Sequence, residues 1–508
     1  MLYNEVEFGK TQKVHIVWFK RDFRVADHLP LWCASEVSFS SDYAVLPLYT
    51  FEPAMWHLSD ASLRQWRFVQ DSLHSLDLQL QRRQAQLHFF IGEITDVLSY
   101  IASQCQVVGI WSHQETGNLW TFERDKNVAK WCQSNSVEWH EYPQHAVVRG
   151  RLNRDHYQSL MDDFFHGPVL SAPSQINQCA PQRHSDWSQI QLPKWGDDQW
   201  IEGERIQAGG REEGVGLLKS FFEHRYERYL QSISKPEPSQ QYSSRISPHL
   251  AWGTLSVKEV MQAAQRQPKS RGISAFVSRV HWQSHFMQKL ETQPSIETHS
   301  LLPACDELRP WNEQAQAHLN AWALGQTGVP IIDACMRCLR HTGWLTFRMR
   351  AMVVSFATYQ LWIPWQQVAP VLARLFTDYE PGIHYSQIQM QSGVTGINQI
   401  RIYNPIKQGM DHDPHGHFIK RWCPELRAVS STWIHQPWLN EALNRPAPIV
   451  DIEQSAKLAK EQVFGMRKKT ENKALAKQIY QKHGSRKRPT RRRKPKSSND
   501  DSQMGLFE

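Results

Sequence analysis

Short apolar runs alternate with longer amphipathic stretches over the first third of the chain. Val14 to Phe19, Ala44 to Phe51, Leu87 to Ile91, Val107 to Ser112 and Val137 to Tyr142 are dense in β-branched and aromatic residues. Between them, Ala61 to Arg83 and Leu119 to Ser134 repeat apolar positions at helical spacing. Strands that are apolar on both faces belong in a parallel sheet covered by helices on each side. The alternation therefore predicts a doubly wound α/β domain over residues 13–145. From Ala146 to about Gln207 the periodicity fades into Pro, Gln and Asp, which predicts a connector (146–208) draped over the surface. Helical spacing returns at Gly209-Gly210 and runs to about Asn444 with few strand signals, predicting an all-α domain over 209–445. Residues 446–508 read as a polar helix, Ile449 to Gln481, followed by a tail.

Composition agrees with two cores. A chain of 508 residues exceeds what one core fills. Met1 to Lys10 is polar and mixed in charge, unlike a signal peptide. The longest apolar run, Met352 to Ile363, is too short to span a bilayer. A cytoplasmic, monomeric protein is expected. The eight Cys show no disulfide framework, as in a reducing compartment. Cys335-Met336-Arg337-Cys338 is a lone CxxC within a helical pattern; buried helix thiols fit it better than a metal site, and no metal is expected.

The net charge of +8 belongs to the tail. Arg486, Lys487, Arg488, Arg491, Arg492, Arg493, Lys494 and Lys496 carry it without an acid among them, so the rest is near neutral. Such a segment buries too little apolar surface to fold. It adds salt-sensitive affinity for nucleic acid, or serves solubility alone.

One local cluster points to chemistry. Ser243-Ser244-Arg245-Ile246-Ser247-Pro248-His249-Leu250 places hydroxyls, a cation and a Pro at a helix start. Free amides at a helix N-terminus attract anions such as a diphosphate. A simple capped helix uses the same residue types. The 21 Trp would line an aromatic cofactor, carry electrons or only pack helices.

These features, taken in order, resemble the DNA photolyase/cryptochrome family. Val17-Trp18-Phe19-Lys20-Arg21-Asp22-Phe23-Arg24 is similar to its first strand and turn, and Gly209-Gly210 to its helical-domain entry. The Ser243 to Leu250 run is similar to its flavin-phosphate motif. Gly325 to Ala334, Thr342-Gly343-Trp344, Arg401 to Pro405, Gln408-Gly409 and Asp413 to Gly416 match further signatures, and the likeness covers roughly residues 13–430. The resemblance implies FAD in the helical domain and an antenna chromophore of unspecified type. It implies blue-light electron transfer from reduced flavin to a UV pyrimidine lesion flipped out of DNA. By the same resemblance Tyr229, Ser243, Ser244, Arg245, Ile246 and Ser247 hold the FAD phosphates. Arg350 pairs with Asp378 against the flavin, and Asp378 and Glu380 accept its hydrogen bonds. Trp282 stacks on the lesion, with Arg279, Phe347 and Arg348 beside it.

The chain departs from the family's pattern in the lesion pocket and the electron route. Arg279 stands for a Glu, Phe347 for an Asn, Gln283 for a flavin-contacting Arg, and His384 for the residue facing flavin N5. A His there is expected to act as a proton donor. The family's Trp relay would run through Trp311 and Trp365, but its last position is Ile388, which cannot be oxidised. Trp362, Tyr385 or Tyr359 would have to substitute, so slow or rerouted photoreduction is expected. Repair of a cyclobutane dimer or (6-4) photoproduct is the first reading; a cryptochrome-like photoreceptor without repair is the alternative. The terminal Gln503-Met504-Gly505-Leu506-Phe507 resembles bacterial sliding-clamp-binding peptides, which dock Gln503, Leu506 and Phe507 in a small groove.

Overall fold

The computed structural model describes residues 12–150, 154–178 and 207–485. Five parallel strands form the N-terminal sheet: β1 (Lys13–Phe19), β2 (Ala44–Phe51), β3 (His88–Ile91), β4 (Gln106–His113) and β5 (Glu138–Tyr142). Their order is β3-β2-β1-β4-β5. β1 and β2 are buried almost throughout, which is why they read as continuous apolar runs. Helices cover both faces, as the sequence predicts. Leu63–Gln81 opens with a reciprocal capping box between Ser62 and Gln65, and Leu119–Ser134 is capped by Asn118.

The connector departs from the expected surface loop. Tyr157–His166 is a helix whose Tyr157, Met161 and Phe165, four residues apart, are buried. The Tyr157 hydroxyl bonds to the carbonyls of Ala146 (2.7 Å) and Ser284 (2.9 Å), pinning the connector to the second domain. That domain is helical from Arg211 to His483, including two π-helical turns, Phe221–Arg225 and Phe356–Gln360. The expected polar helix is a pair, Ile452–Lys468 and Thr470–His483. The basic segment from Arg486 and the clamp-like peptide lie outside the described residues. No described helix is long and apolar enough to cross a membrane. Cys335 and Cys338 are buried on Pro330–Thr342, and burial pushes the Cys338 thiol up to about 12, away from the thiolate a metal requires.

The two domains meet along a polar seam. Arg64 is fully buried, and its guanidinium donates to the carbonyls of Leu339 (3.0 Å), Leu375 (2.8 Å) and Arg340. Those carbonyls end Pro330–Thr342 and Trp365–Leu375, so one cation caps two helix C-termini. Gln65 donates to the carbonyls of Ala373 (2.8 Å) and Phe376 (3.3 Å). Trp252 Nε1 donates to Thr377 O at 3.0 Å. At Gly253 (φ +64°) a Cβ would lie 2.2 Å from Arg21 O, so only glycine allows this approach. Phe376 is thus held by the α/β domain, and Thr377 next to it by Trp252 of the helical domain, itself at the seam.

One buried triad, Asp22, His28 and His113, has the spacing of a metal site among the described residues. Hydrogen bonds account for it. His28 Nδ1 accepts from Leu31 N (3.1 Å), so its Nε2 carries the proton and donates to Asp22 (2.9 Å). His113 Nδ1 bonds the same carboxylate oxygen at 2.7 Å.

Candidate functional site

A cavity of about 330 Å³ opens inside the helical domain. Three helices build most of its wall. Arg271–Thr292, capped by Ser270, presents Phe276, Arg279, Val280, Gln283 and Phe286 along one face, with Trp282 beside them. Phe347–Ser355, capped by Thr346, presents Phe347, Arg350, Ala351 and Val354. Pro381–Gln391 presents Ile383, His384, Gln387, Ile388 and Gln391, with Glu380 at its N-cap. The first and last of these helices approach closely because Gly382 lies against Met287, where a Cβ would come within 2.7 Å of the Met287 Cα.

Tyr229 and the loop Ser243 to Ser247 complete the wall. Arg225 bonds the Ser243 carbonyl at 2.5 Å, and Gln207 bonds that of Arg245 at 2.7 Å. Arg245 takes a left-handed backbone (φ +61°), and its guanidinium stacks on Trp344 at 4.0 Å. The helix after this loop spans only Ser247–Ala251. So short a helix carries little dipole, and the loop's affinity for an anion rests on its hydroxyls and Arg245 rather than on a helix start. Burial lowers Arg245 to about 10, which leaves it cationic at neutral pH.

The electrostatic centre is the Arg350–Asp378 pair, joined by two hydrogen bonds of 3.0 and 2.7 Å. Asp378 has a nearly buried side chain, while Arg350 is partly exposed to the cavity. Glu380, buried beside Arg21 at 3.6 Å, is pushed up to about 7 by desolvation. His384 is neutral: burial lowers it to about 4, and its Nε2 donates to Ala369 O at 2.9 Å. That geometry corrects the expected proton donor, because the N–H is committed to the backbone and Nδ1 can only accept.

Of the residues singled out from sequence, fourteen line this one cavity: Tyr229, Ser243, Ser244, Arg245, Ile246, Ser247, Arg279, Trp282, Gln283, Phe347, Arg350, Asp378, Glu380 and His384. Ile388 is also on the wall. Arg348 is not; it is buried, with its guanidinium 5.9 Å from the Tyr403 ring. Trp365 is buried, and its Nε1 donates to Ser300 Oγ at 2.9 Å, whereas Trp311 is 42% exposed. Sequence reasoning missed Gln387. Both ends of its buried amide lack a protein partner, and it lines the cavity. Its spacing of three residues after His384 and seven after Glu380 was the available signal.

These features fit FAD. The unpaired Gln387 amide matches a ring edge carrying adjacent donor and acceptor, as flavin and adenine do. Arg245 and three Ser suit a diphosphate. A second, smaller crevice of about 50 Å³ lies at the C-terminal ends of β1, β2 and β4, where the strand order reverses. Trp18, Trp56, Trp252, Tyr379 and the Glu52–Arg124–Glu115 ion pairs (3.1 and 2.6 Å) border it.

An α/β domain seated on a helical domain with a flavin-sized, Arg–Asp-bearing cavity defines a two-domain flavoprotein. Comparison narrows the class. Residues 15–159 match the family description DNA photolyase, and residues 276–464 match FAD binding domain of DNA photolyase. A deoxyribodipyrimidine photo-lyase of Vibrio cholerae is 27% identical over 478 residues, 87% of this chain and 97% of that protein. A cryptochrome DASH of Synechocystis is also 27% identical, over 87% and 96%. A class III photolyase from Agrobacterium tumefaciens superposes with a TM-score of 0.77 at 23% identity, covering 91% of this chain and 99% of that one. A photolyase from Sulfolobus tokodaii, described with two FAD molecules, gives 0.74 at 24% identity, covering 89% and 100%. The chain belongs to the DNA photolyase/cryptochrome family, and FAD is its cofactor.

Proposed function

We propose that the protein is a blue-light-driven DNA repair lyase acting on UV pyrimidine lesions. One observation carries this reading: the aromatic, cationic residues Trp282, Phe347 and Arg279 line the same cavity as the Arg350–Asp378 pair. A base flipped into that cavity would stand beside the flavin without crossing protein. FAD supplies the light absorption and the electron when bound. The side chains supply the rest. Trp282 is half-buried and offers a flat face for a flipped base. Arg279 is held by the Ala275 carbonyl at 2.7 Å and lies 5.4 Å from the Trp282 ring, so its charge stays beside the stacked base. Arg350 and Asp378 orient the flavin ring, and the apolar wall of Phe286, Leu372 and Phe376 excludes water around it. The names of relatives such as the Vibrio cholerae photo-lyase support the same activity.

Two features favour a second reading, a photoreceptor without repair. Arg279 replaces the acid that accepts hydrogen bonds from a cyclobutane dimer, and a cryptochrome DASH is as similar as the photo-lyases. The deciding experiment illuminates purified, reduced protein with oligonucleotides carrying a cyclobutane dimer or a (6-4) photoproduct. Light-dependent restoration of either establishes repair and names the lesion. Restoration of neither, with FAD bound and photoreducible, overturns the repair reading and favours the second. Docking of Gln503, Leu506 and Phe507 on a sliding clamp belongs to the repair reading; deletion of residues 503–508 should abolish clamp binding.

A further inference from the structure

Ile388 leaves the cavity wall without an oxidisable side chain where the family's relay would end. Two phenols stand just behind that wall. The Tyr379 and Tyr385 rings meet the His384 ring edge-on at 5.1 and 5.3 Å. His384 lines the cofactor cavity, as do Asp378 and Glu380 on either side of Tyr379. What sets Tyr379 apart is a base. Its hydroxyl donates to Asp60 Oδ2 at 2.5 Å, and the same oxygen accepts from Asn118 Nδ2 at 3.0 Å. The Tyr385 hydroxyl is 3.5 Å from that of Tyr379, too far for a strong bond.

A buried aromatic that loses an electron becomes a cation unless a proton leaves with it, and an unpaired buried cation is costly. Trp365 has only the Ser300 hydroxyl on its N–H, a poor base. Trp252, on the other side, points its N–H at the Thr377 carbonyl and carries the Arg21 guanidinium 4.3 Å over its face, which opposes a second positive charge. Tyr379 alone among these donors has a carboxylate in contact with the proton it must lose. Burial beside Asp60 raises the phenol well above its ordinary range, so the proton is present at working pH.

We propose that Tyr379 is the proton-coupled electron donor that reduces light-excited, oxidised FAD, with Asp60 as its base; the assignment rests on the flavin-photochemical reading above. One electron leaves the Tyr379 ring for the flavin, and the phenolic proton passes to Asp60 Oδ2. Tyr379 becomes a neutral radical, Asp60 a neutral acid, and the flavin holds one extra electron. Tyr379 and Asp60 both line the crevice at the strand ends. A thiol reductant entering there returns an electron to Tyr379, and Asp60 returns the proton.

The test is flash photolysis with electron paramagnetic resonance on the FAD-loaded protein, grown with ordinary or ring-deuterated tyrosine. The expected signal is a tyrosine radical that narrows on deuteration. Tyr379→Phe should remove it and slow photoreduction at least ten-fold while FAD stays bound. Asp60→Asn should slow the same step and abolish its solvent deuterium effect. In cofactor-free protein with Cζ-labelled tyrosine, the Tyr379 resonance should shift in Asp60→Asn; no shift would mean the phenol does not use this base and overturns the proposal. A tryptophan radical in the wild type, or unchanged photoreduction in Tyr379→Phe, overturns it as well. If photoreduction is instead lost in Trp365→Phe, the inherited route operates and the assignment falls. A wild-type protein that binds no FAD would sink the functional reading together with this one; bound, photoreducible FAD without a tyrosine radical sinks only this one.

Discussion

Replacing Arg64 by Met removes a single cation from the seam and tests how the helical domain is held. The guanidinium serves three carbonyls, those of Leu339, Arg340 and Leu375, at the ends of two helices. Leu339 O keeps the Gly343 N–H at 2.9 Å, so the loss falls on the other two carbonyls, at about 1–3 kcal/mol for each that is left without a donor. Each helix end also loses a cation worth up to about 2 kcal/mol in a buried setting. Against this, the folded state no longer has to desolvate a guanidinium, which costs several kcal/mol. The sum is a net loss of about 3 kcal/mol, a large part of what a domain has to spare. Urea unfolding followed by circular dichroism should show a lower midpoint at unchanged slope. Because segment 376–378 leads from the seam into Asp378, FAD should also dissociate more readily, seen as a rise in free-flavin fluorescence. Arg64→Lys should recover part of the loss, since an ammonium donates from one point and cannot reach all three oxygens. A loss below about 1 kcal/mol with unchanged FAD affinity would refute the idea that this side chain joins the domains.

Other outcomes follow from the site. Asp378→Asn breaks the two-bonded pair with Arg350 and should weaken FAD binding at least ten-fold, about 1.4 kcal/mol, by equilibrium dialysis. Trp282→Ala should weaken binding of a lesion-bearing oligonucleotide by about 1–3 kcal/mol while FAD occupancy is unchanged. His384, lowered to about 4, should show no imidazole titration between pH 5 and 8 by NMR; a midpoint near 6.5 would contradict its assignment as a neutral acceptor. Burial raises Glu297 and Glu380 to about 7, so the unfolded chain, whose glutamates titrate near 4.5, releases these protons first as pH rises. Cofactor-free protein should therefore lose stability between pH 4.5 and 7 and level off above, by up to about 3 kcal/mol per group.

The sheet was legible because its central strands β1 and β2 are apolar on both faces, while the edge strand β5, Glu138–Tyr142, shows only through its aromatic residues. The cavity was legible as a residue set because its motifs sit at helical spacing or in one Ser-rich loop. The connector helix was not, because only Tyr157, Met161 and Phe165 carry its period within a polar stretch. His384's role depends on a carbonyl supplied by another helix, Ala369, which no local pattern encodes. Arg348 sits next to Phe347 in the chain, yet adjacent helical residues face different directions, and only Phe347 reaches the cavity. Tyr379 and Asp60 are 319 positions apart, and nothing in either neighbourhood announces the other.

The polar character of the seam also bears on synthesis. The sheet through Tyr142 emerges from the ribosome before the helices that end at Leu339 and Leu375 exist. At ordinary translation speed the delay is roughly tens of seconds. During that interval Asp60, Arg64, Gln65, Ser72 and Ser75, all buried in the finished protein, face water on the nascent domain. A docking face made of Leu and Phe would invite aggregation over that time. Here those five polar side chains stay hydrated among the apolar ones until their partners beyond Gly209 arrive.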